Sequence, residues 1–146
     1  DKILALCAEN GQFYRYHPPM ATRESILADM TALPPGTGAE NKHYLGFFDG
    51  DALVAVLDLI EHYPQQNTAY IGFFMTKKER QGCGLGTSLI GKLFDELRKE
   101  KFCRVRLAID RGNPQSKAFW EKNYFALTGE EFPHDDSAYL PMEREL

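Results

Sequence analysis

The chain reads Gln81-Gly82-Cys83-Gly84-Leu85-Gly86 at the point where an apolar strand pattern gives way to a helical one. Residues 68–75 before this segment are rich in strand formers, and from Leu85 onward the apolar residues recur at helical spacing. Glycines let several backbone N–H groups converge, and the first turn of a helix adds unpaired donors with partial positive charge. The segment therefore predicts an anion site suited to a phosphate group.

The glycine segment does not match two common phosphate-binding motifs. A P-loop requires a lysine directly after its last glycine, but Gly86 is followed by Thr87. A dinucleotide fingerprint requires a third glycine, where this chain has Thr87 when counted from Gly82 and Leu89 when counted from Gly84. The residues alone leave two interpretations open, a phosphate site of another kind or a turn that only joins a strand to a helix.

The residues at the start of the chain predict two helices. Residues 2–10 have a helical pattern that Gly11 is expected to end, and an aromatic loop over residues 13–17 follows. Thr22 can cap a second helix, whose apolar face extends to Leu33.

A hairpin and a third strand follow these helices. Residues 44–48 and 52–60 are apolar runs joined by Asp49-Gly50-Asp51, and an Asp-Gly pair between two such runs is a hairpin signal. Gly72 lies inside the third strand, residues 68–75, and indicates a bulge or a place where another group approaches the backbone.

The second half of the chain continues in the same alternation. The patterns predict a helix beginning at Leu85, a strand over 104–109 and a helix opened by Asn113-Pro114. They also predict strands over 125–128 and 138–145 around a loop at 129–137. The absence of repeats and linkers predicts one α+β domain over residues 1–146 with a mostly antiparallel sheet.

The glycine segment resembles the Q/R-x-x-G-x-G/A signature of the GNAT acetyltransferases. The similarity extends in order over about residues 44–127. It includes Asn113 through Phe125, which resembles the N-x-x-[AS]-x-x-[FL]-Y-x-K-x-G-F segment of that family. The resemblance implies a central, mostly antiparallel mixed sheet flanked by helices in three layers. The family normally begins with a further strand, so either that strand precedes Asp1 or this member lacks it.

The resemblance also implies that acetyl-CoA is the cosubstrate and indicates which residues bind it. The pyrophosphate would lie on the loop Gln81, Gly82, Cys83, Gly84, Leu85, Gly86 and Thr87, and the pantetheine arm would pair with Phe74, Met75 and Thr76. Asn113, Ser116 and Trp120 match further positions beside the CoA arm. Asn113 before Pro114 fits equally well as a helix cap that contacts no ligand. No metal site is expected.

Transfer of an acetyl group to an amine requires a base for the amine, stabilisation of the thioester oxygen and a proton for the leaving thiolate. The tyrosine that often acts as the acid in this family matches Trp120, whose indole cannot fill that role. Tyr124, one turn later, is the nearest replacement. The two positions where family members place a base fall on Tyr70 and Ala108.

The remaining candidates for the base are Asp58, Glu61 and His62, with Tyr70 acting through water. Glu61 and His62 also fit the solvated end of a strand, and Tyr70 and Tyr124 also fit amphipathic core positions. The predicted catalytic residues are Tyr124, Tyr70 and Glu61. Cys83 is interpreted as a variable loop position and not as a nucleophile, because transfer in this family is direct.

The first helices of the family usually line the acceptor pocket, which maps onto Phe13, Tyr14, Tyr16 and His17. The sequence therefore predicts an N-acetyltransferase acting on a primary amine of a small molecule or peptide. The alternative is an acyl-CoA-binding module without catalytic activity. The residues do not choose among polyamines, antibiotics, amino acids, peptides and protein N-termini.

Composition limits the other classes of function. Three cysteines without a C-x-x-C pair argue against a disulfide framework or a zinc site and favour a reducing, cytoplasmic compartment. The net charge of −4 argues against nucleic acid as a partner, and no apolar run is long enough to span a bilayer. A monomer or a homodimer is expected.

Overall fold

A computed structural model describes residues 1–146. The helices are α1 (Lys2–Ala8), α2 (Gly11–Tyr16), α3 (Arg23–Asp29), α4 (Leu85–Lys99) and α5 (Pro114–Lys122). The strands are β1 (Lys42–Asp49), β2 (Ala52–Glu61), β3 (Thr68–Thr76), β4 (Arg104–Asp110), β5 (Ala126–Leu127), β6 (Phe132–His134) and β7 (Ser137–Glu145). Short 3₁₀ turns occupy Ala39–Asn41 and Lys78–Arg80.

The seven strands form one sheet in the order β1-β2-β3-β4-β7-β5, with β6 also paired to β7. Every neighbouring pair is antiparallel except β3 and β4, which are parallel. The parallel pair arises because α4 forms the crossover that carries the chain from β3 to β4. The predicted mixed, mostly antiparallel sheet is confirmed.

Two apolar cores cover the two faces of the sheet, so the domain has three layers. Leu57 and Leu59 of β2 belong to the core that contains residues of α4 and α5. Leu53 and Val56 of the same strand belong to the core that contains residues of α1, α2 and α3. Burial on both faces explains why β2 reads as a nearly continuous apolar run rather than an alternating one.

The helix predicted over residues 2–10 is present as α1 and ends before Gly11, but Gly11 begins α2, so the aromatic segment is helical and the predicted loop is wrong. Asn10 separates the two helices: its side chain donates to the carbonyl of Leu6 over 2.8 Å and so closes the end of α1. The backbone carbonyl of Asn10 then accepts from the N–H of Phe13 over 3.1 Å as α2 begins. A glycine signal alone could not reveal that a neighbouring side chain ends the first helix.

Two further boundaries differ from the prediction. Thr22 caps α3 as expected, but the helix ends at Asp29, so Leu33, where the predicted apolar face ended, lies beyond it and is 39% exposed. Ile26 is the buried residue of α3, and it packs in the core that contains residues of α1 and α2. The predicted loop at 129–137 contains β6, which is held by pairing to β7 and not by an apolar pattern of its own.

Candidate active site

The sheet opens between β3 and β4. The two strands pair only from Thr68 to Ile71 on β3 and from Arg104 to Leu107 on β4. Beyond this point β3 continues along β2 and β4 continues along β7, so the two parallel strands separate. The edge of β3 that faces the opening has no strand partner beyond Ile71, and an extended molecule can pair with such an edge.

A bulge in β3 marks the beginning of this opening. Asp58 on β2 pairs with Phe73 and Leu59 pairs with Ile71, which leaves Gly72 as the extra residue. A Cβ atom at Gly72 would lie 3.0 Å from a carboxylate oxygen of Asp58, so a side chain there would displace the Asp58 carboxylate. The bulge expected from Gly72 is therefore present, and it bends β3 away from β4.

Helix α4 begins beside the opening without a side-chain cap. Its N-cap is Gly84, with φ +86° and ψ 0°, and no side chain bonds to its first N–H groups. Gly82 also has a positive φ of +77°. Both values lie in the left-handed region that glycine adopts at little cost. The first N–H groups of α4 therefore remain available to an anionic ligand.

Gly86 is constrained by packing and not by its backbone angles. A Cβ atom at this position would lie 2.9 Å from the Cε1 atom of Phe119, a ring of α5. Only glycine therefore lets the first turn of α4 approach α5 this closely. The three glycines of the segment thus serve two different purposes.

A cavity of about 320 Å³ extends along the glycine loop and the free edge of β3. Its lining includes eleven of the thirteen residues predicted to bind the cosubstrate: Phe74, Met75, Thr76, Gln81, Gly82, Gly84, Gly86, Thr87, Asn113, Ser116 and Trp120. Cys83 and Leu85 are not among them, and the thiol of Cys83 donates to the carbonyl of Arg80 over 2.7 Å. We call this space the first cavity.

The lining of the first cavity also includes residues that the sequence analysis did not identify. Lys122 brings positive charge, and so does Arg80, whose guanidinium lies 3.1 Å from the Asp49 carboxylate; cationic side chains suit a ligand with several phosphate groups. Neither position belongs to the short glycine motif, and Lys122 comes into the cavity only because α5 packs beside α4. Asn10 also lines the cavity, and its side chain donates to the carbonyl of Thr76 at the end of β3.

Gln81 holds the glycine loop in place through its side chain. Its Nε2 atom donates to Oδ1 of Asn10 over 2.7 Å and to the carbonyl of Thr76 over 3.1 Å. Its Oε1 atom accepts from the side chain of Gln115 over 3.1 Å. The glutamine of the motif therefore links the loop to the junction of α1 and α2, to β3 and to α5.

Asn113 acts as a helix cap and also lines the first cavity. Its Oδ1 atom accepts from the N–H groups of Gln115 and Ser116 over 3.1 and 3.2 Å, and Pro114 occupies the first helical position. The capping interpretation of Asn113 is therefore confirmed. Its role toward a ligand stays a prediction.

A second cavity, also of about 320 Å³, fills the gap where β3 and β4 separate. It shares Phe13, Phe74, Ser116 and Trp120 with the first cavity, so the two spaces adjoin. Tyr70 lines it, and burial raises the pKa of this phenol above its usual value. Tyr70 therefore stays neutral at physiological pH and can donate a hydrogen bond.

The aromatic segment of α2 contributes unevenly to these cavities. Phe13 lines the first two cavities, whereas Tyr14 is buried in the core beside α1 and lines neither. Tyr16 lines a third cavity of about 260 Å³, and His17 lies between the second and the third. Three of the four residues predicted for the acceptor pocket therefore face a cavity.

His17 is hydrogen-bonded to Asp110, a contact that no local sequence pattern indicates. Its Nδ1 atom lies 3.0 and 3.1 Å from the two carboxylate oxygens of Asp110, which is only 8% exposed. The hydrogen bond to Asp110 raises the pKa of His17 above its usual value, although burial acts in the opposite direction. The two residues are 93 positions apart in the chain, so no local pattern indicates the pair.

Glu61 and His62, two of the candidate bases, do not line the three cavities. Glu61 is the last residue of β2, and its carboxylate lies 2.6 Å from the imidazole of His43 on β1. Its backbone pairs with Ala69 near the start of β3. His62 accepts a hydrogen bond from the N–H of Asn67 and stacks on Phe102. Both side chains therefore have structural partners at the closed end of the β3–β4 pair.

Asp58 and Tyr124 also lie outside the cavities. The Asp58 carboxylate is 2.8 Å from Lys42, and burial raises its pKa while Lys42 opposes that shift. Tyr124 is 78% exposed, with a φ of +69°, and its ring lies 5.2 Å from the guanidinium of Arg144. Its position one turn after Trp120 does not bring it to the cavities, because α5 ends at Lys122 and the chain turns outward.

The comparison with known families agrees with this geometry. The sequence profile of the Acetyltransferase (GNAT) family matches residues 5–125. The chain belongs to this family. Acetyl-CoA is the acetyl donor of GNAT acetyltransferases, and the uncapped start of α4, the two cationic side chains and the free β3 edge fit its phosphates and its extended arm.

Solved structures of acetyltransferases share the GNAT fold of this chain. An acetyltransferase from Thermus thermophilus matches with a TM-score of 0.78 and 19% identity, covering 99% of this chain and 88% of the other. The PaiA N-acetyltransferase from Thermoplasma acidophilum, solved in complex with coenzyme A, has a TM-score of 0.73 and 17% identity, with coverage of 99% and 91%. The ribosomal-protein-S18-alanine N-acetyltransferase from Escherichia coli has a TM-score of 0.68 and 16% identity, with coverage of 99% and 87%.

No curated protein matches the chain significantly. None of the five helices combines the length and the apolar character needed to cross a membrane. The structure contains no group of three or more histidine, cysteine or acidic side chains that could hold a metal ion.

Proposed function

We propose that the protein is an N-acetyltransferase that moves the acetyl group of acetyl-CoA directly to a primary amine of a small molecule or peptide. The observation that carries the proposal is the junction of two cavities at the unpaired edge of β3. The first cavity has the donors and the positive charge that phosphates require, and the second has space for an acceptor beside the same edge. Such a junction holds two reactants next to each other, which is the main requirement for direct transfer.

The bulged strand supports the chemistry of the transfer. Backbone N–H groups on the free edge of β3 beyond Gly72 can stabilise the negative charge that develops on a thioester oxygen. Tyr70 and Tyr139 contribute neutral phenols to the second cavity, since burial raises the pKa of both. Two relatives of similar fold are named N-acetyltransferases, and one of them acts on a ribosomal protein alanine by name.

An assay of acetyl transfer tests the proposal. The protein is incubated with acetyl-CoA and, separately, a polyamine, an aminoglycoside, a free amino acid and a peptide with an N-terminal alanine. Release of free thiol and a mass increase of the amine by one acetyl group are measured together. We expect at least one amine to be acetylated, whereas binding of acetyl-CoA without any acetylated product would support the alternative of an inactive acyl-CoA-binding module.

The proposal includes two expectations about the protein in the cell. The three free cysteines favour a reducing, cytoplasmic location. A monomer or a homodimer is expected, and sedimentation of the purified protein distinguishes the two.

A further inference from the structure

The three cavities form a series, and His17 and Asp110 lie at one of its junctions. The second cavity adjoins the first through Phe13, Phe74, Ser116 and Trp120. It adjoins the third through His17, Asp110 and Tyr139. If the donor occupies the first cavity, an acceptor that arrives through the third cavity passes the imidazole of His17 before it meets the donor.

The contacts of His17 orient its ring in a way that suits a base. Nδ1 faces the carboxylate of Asp110 at 3.0 Å, and Nε2 makes no hydrogen bond within the chain. A carboxylate at Nδ1 holds the proton of the neutral imidazole on that atom, which leaves the lone pair on Nε2. The same carboxylate stabilises the imidazolium that forms when Nε2 accepts a proton.

Asp110 has no other side-chain partner. It is 8% exposed, and the hydrogen bonds of its carboxylate go to His17 alone. A carboxylate buried to this extent needs a compensating group. The pair therefore connects the end of α2 to the end of β4 at the point where the sheet opens.

We propose that His17 is the general base that deprotonates the acceptor amine and that Asp110 is the residue that positions it. This inference rests on the proposed function. The Nε2 atom of His17 accepts one proton from the substrate ammonium, and the freed nitrogen lone pair forms the new C–N bond to the acetyl carbonyl carbon. The C–S bond breaks with its electron pair on sulfur, and the second proton of the amine passes to that sulfur. His17 then releases its proton to solvent.

Several titratable groups surround His17. Besides Asp110, the groups that face its surroundings are Asp29 from α3, Arg15 from α2, Arg111 after β4, His134 from β6, Asp135 and Asp136 from the following turn, and Tyr139 from β7. The hydrogen bond to Asp110 is the largest influence and raises the pKa of His17. Since the base must be neutral, the plot of rate against pH should have a rising low-pH limb. Its midpoint should lie above about 6.5, the usual pKa of histidine.

The test compares His17→Gln and Asp110→Asn with His43→Gln. His43 is a matched control because it also contacts a carboxylate, that of Glu61, but lines none of the cavities. The probes are acetyl-CoA and the amine of the panel that the unchanged protein acetylates fastest. The imidazole C–H signals of His17 are also titrated by NMR in the unchanged protein and in Asp110→Asn, and calorimetry with CoA reports binding in every variant.

His17→Gln is expected to lower kcat by about 100-fold or more and to abolish the low-pH limb, with the KM for acetyl-CoA changed less than about threefold. Asp110→Asn should shift both the limb and the His17 titration to lower pH, and His43→Gln should change neither. A low-pH limb that survives in His17→Gln, or one that Asp110→Asn does not move, would overturn the base assignment alone. Failure of the unchanged protein to acetylate any amine would overturn the proposed function and the base assignment together, while the NMR titration would still report the ion pair.

Discussion

Helices α4 and α5 both begin beside the first cavity, but only α5 has a side chain that accepts hydrogen bonds from its first N–H groups. The start of α5 has a capping side chain, because Asn113 accepts from two backbone N–H groups and Pro114 has none to offer. The start of α4 has Gly84 as its N-cap and no side-chain acceptor. A helix start without a cap leaves donors that water or a ligand must satisfy.

The two helix starts therefore have different roles: the N–H groups of α5 are satisfied within the protein, whereas those of α4 are available to a phosphate. At α5 the sequence provides its own acceptor, so the helix is complete without a ligand. At α4 the left-handed glycines keep side chains away from the donors, and the helix dipole favours an anion there. The glycine loop is therefore the part of the cavity whose hydrogen bonds a ligand completes.

The largest expected effect is the loss of CoA binding in Gly84→Glu. A carboxylate beside the first turn of α4 would repel phosphate and fill the space in front of the N–H groups. Ligand at about one hundred times its dissociation constant adds roughly 2.7 kcal/mol to the free energy of unfolding, and calorimetry resolves that gain easily. The variant should unfold cooperatively, with some loss of stability because Gly84 has a positive φ, and it should show no gain with acetyl-CoA.

Lys92→Glu is the matched control for this variant. Lys92 is exposed on α4 outside the first cavity, and its replacement makes this helix more negative than Gly84→Glu does, but away from the cavity. It should retain the full gain in stability with acetyl-CoA. A folded Gly84→Glu protein that also retains the full gain would make the glycine loop a structural turn.

Gly86→Ala should destabilise the protein through packing. The added Cβ atom would lie 2.9 Å from the ring of Phe119, and overpacking of this kind costs about 1–3 kcal/mol. The melting temperature should fall by several degrees. Combining the change with Phe119→Leu should recover part of the loss, whereas equal stability of Gly86→Ala and the unchanged protein would disprove the packing role.

Asn113→Ala should cost about 1 kcal/mol of stability through the lost cap, with little change in the affinity for CoA. Thr22→Ala is the control, because Thr22 caps α3 with the same type of bond and lies outside the cavities. Chemical denaturation and CoA titration are measured for both. A large loss of CoA affinity in Asn113→Ala alone would show that its side chain binds the ligand in addition to capping the helix.

The smallest effect is expected for Tyr124→Phe. The exposed phenol lies beside Arg144 and outside the cavities, so kcat should stay within about twofold of the unchanged protein and the high-pH limb of the rate should persist. A high-pH limb that disappears in the variant would restore Tyr124 as the proton donor predicted from the sequence.

Local sequence patterns predicted the features that depend on residues close together in the chain. The glycine loop, the bulge at Gly72 and the cap at Asn113 each depend on a few adjacent positions, and the structure has all three. The predicted fold class followed from the order of strand and helix patterns. The helix that begins at Gly11 was missed because Asn10, which precedes it, is held by hydrogen bonds that reach as far as Thr76 and Gln81.

The catalytic candidates could not be predicted in the same way. Glu61 and Tyr124 have the right chemistry, but the sheet and the end of α5 place them away from the cavities. His17 and Asp110 come together only because α2 packs at the open end of β4. A contact between positions so far apart in the chain depends on topology, which no local pattern contains.

The most direct test of the phosphate assignment is an amide NMR titration of the protein with CoA. The N–H signals of residues 84–87 at the start of α4 should move most, since these groups gain a charged acceptor. The signals of Arg23 to Ile26 at the start of α3, where Thr22 is the cap, should stay in place. CoA that saturates the protein while the signals of residues 84–87 remain unmoved would contradict the central claim that the uncapped start of α4 binds the phosphates of the acetyl donor.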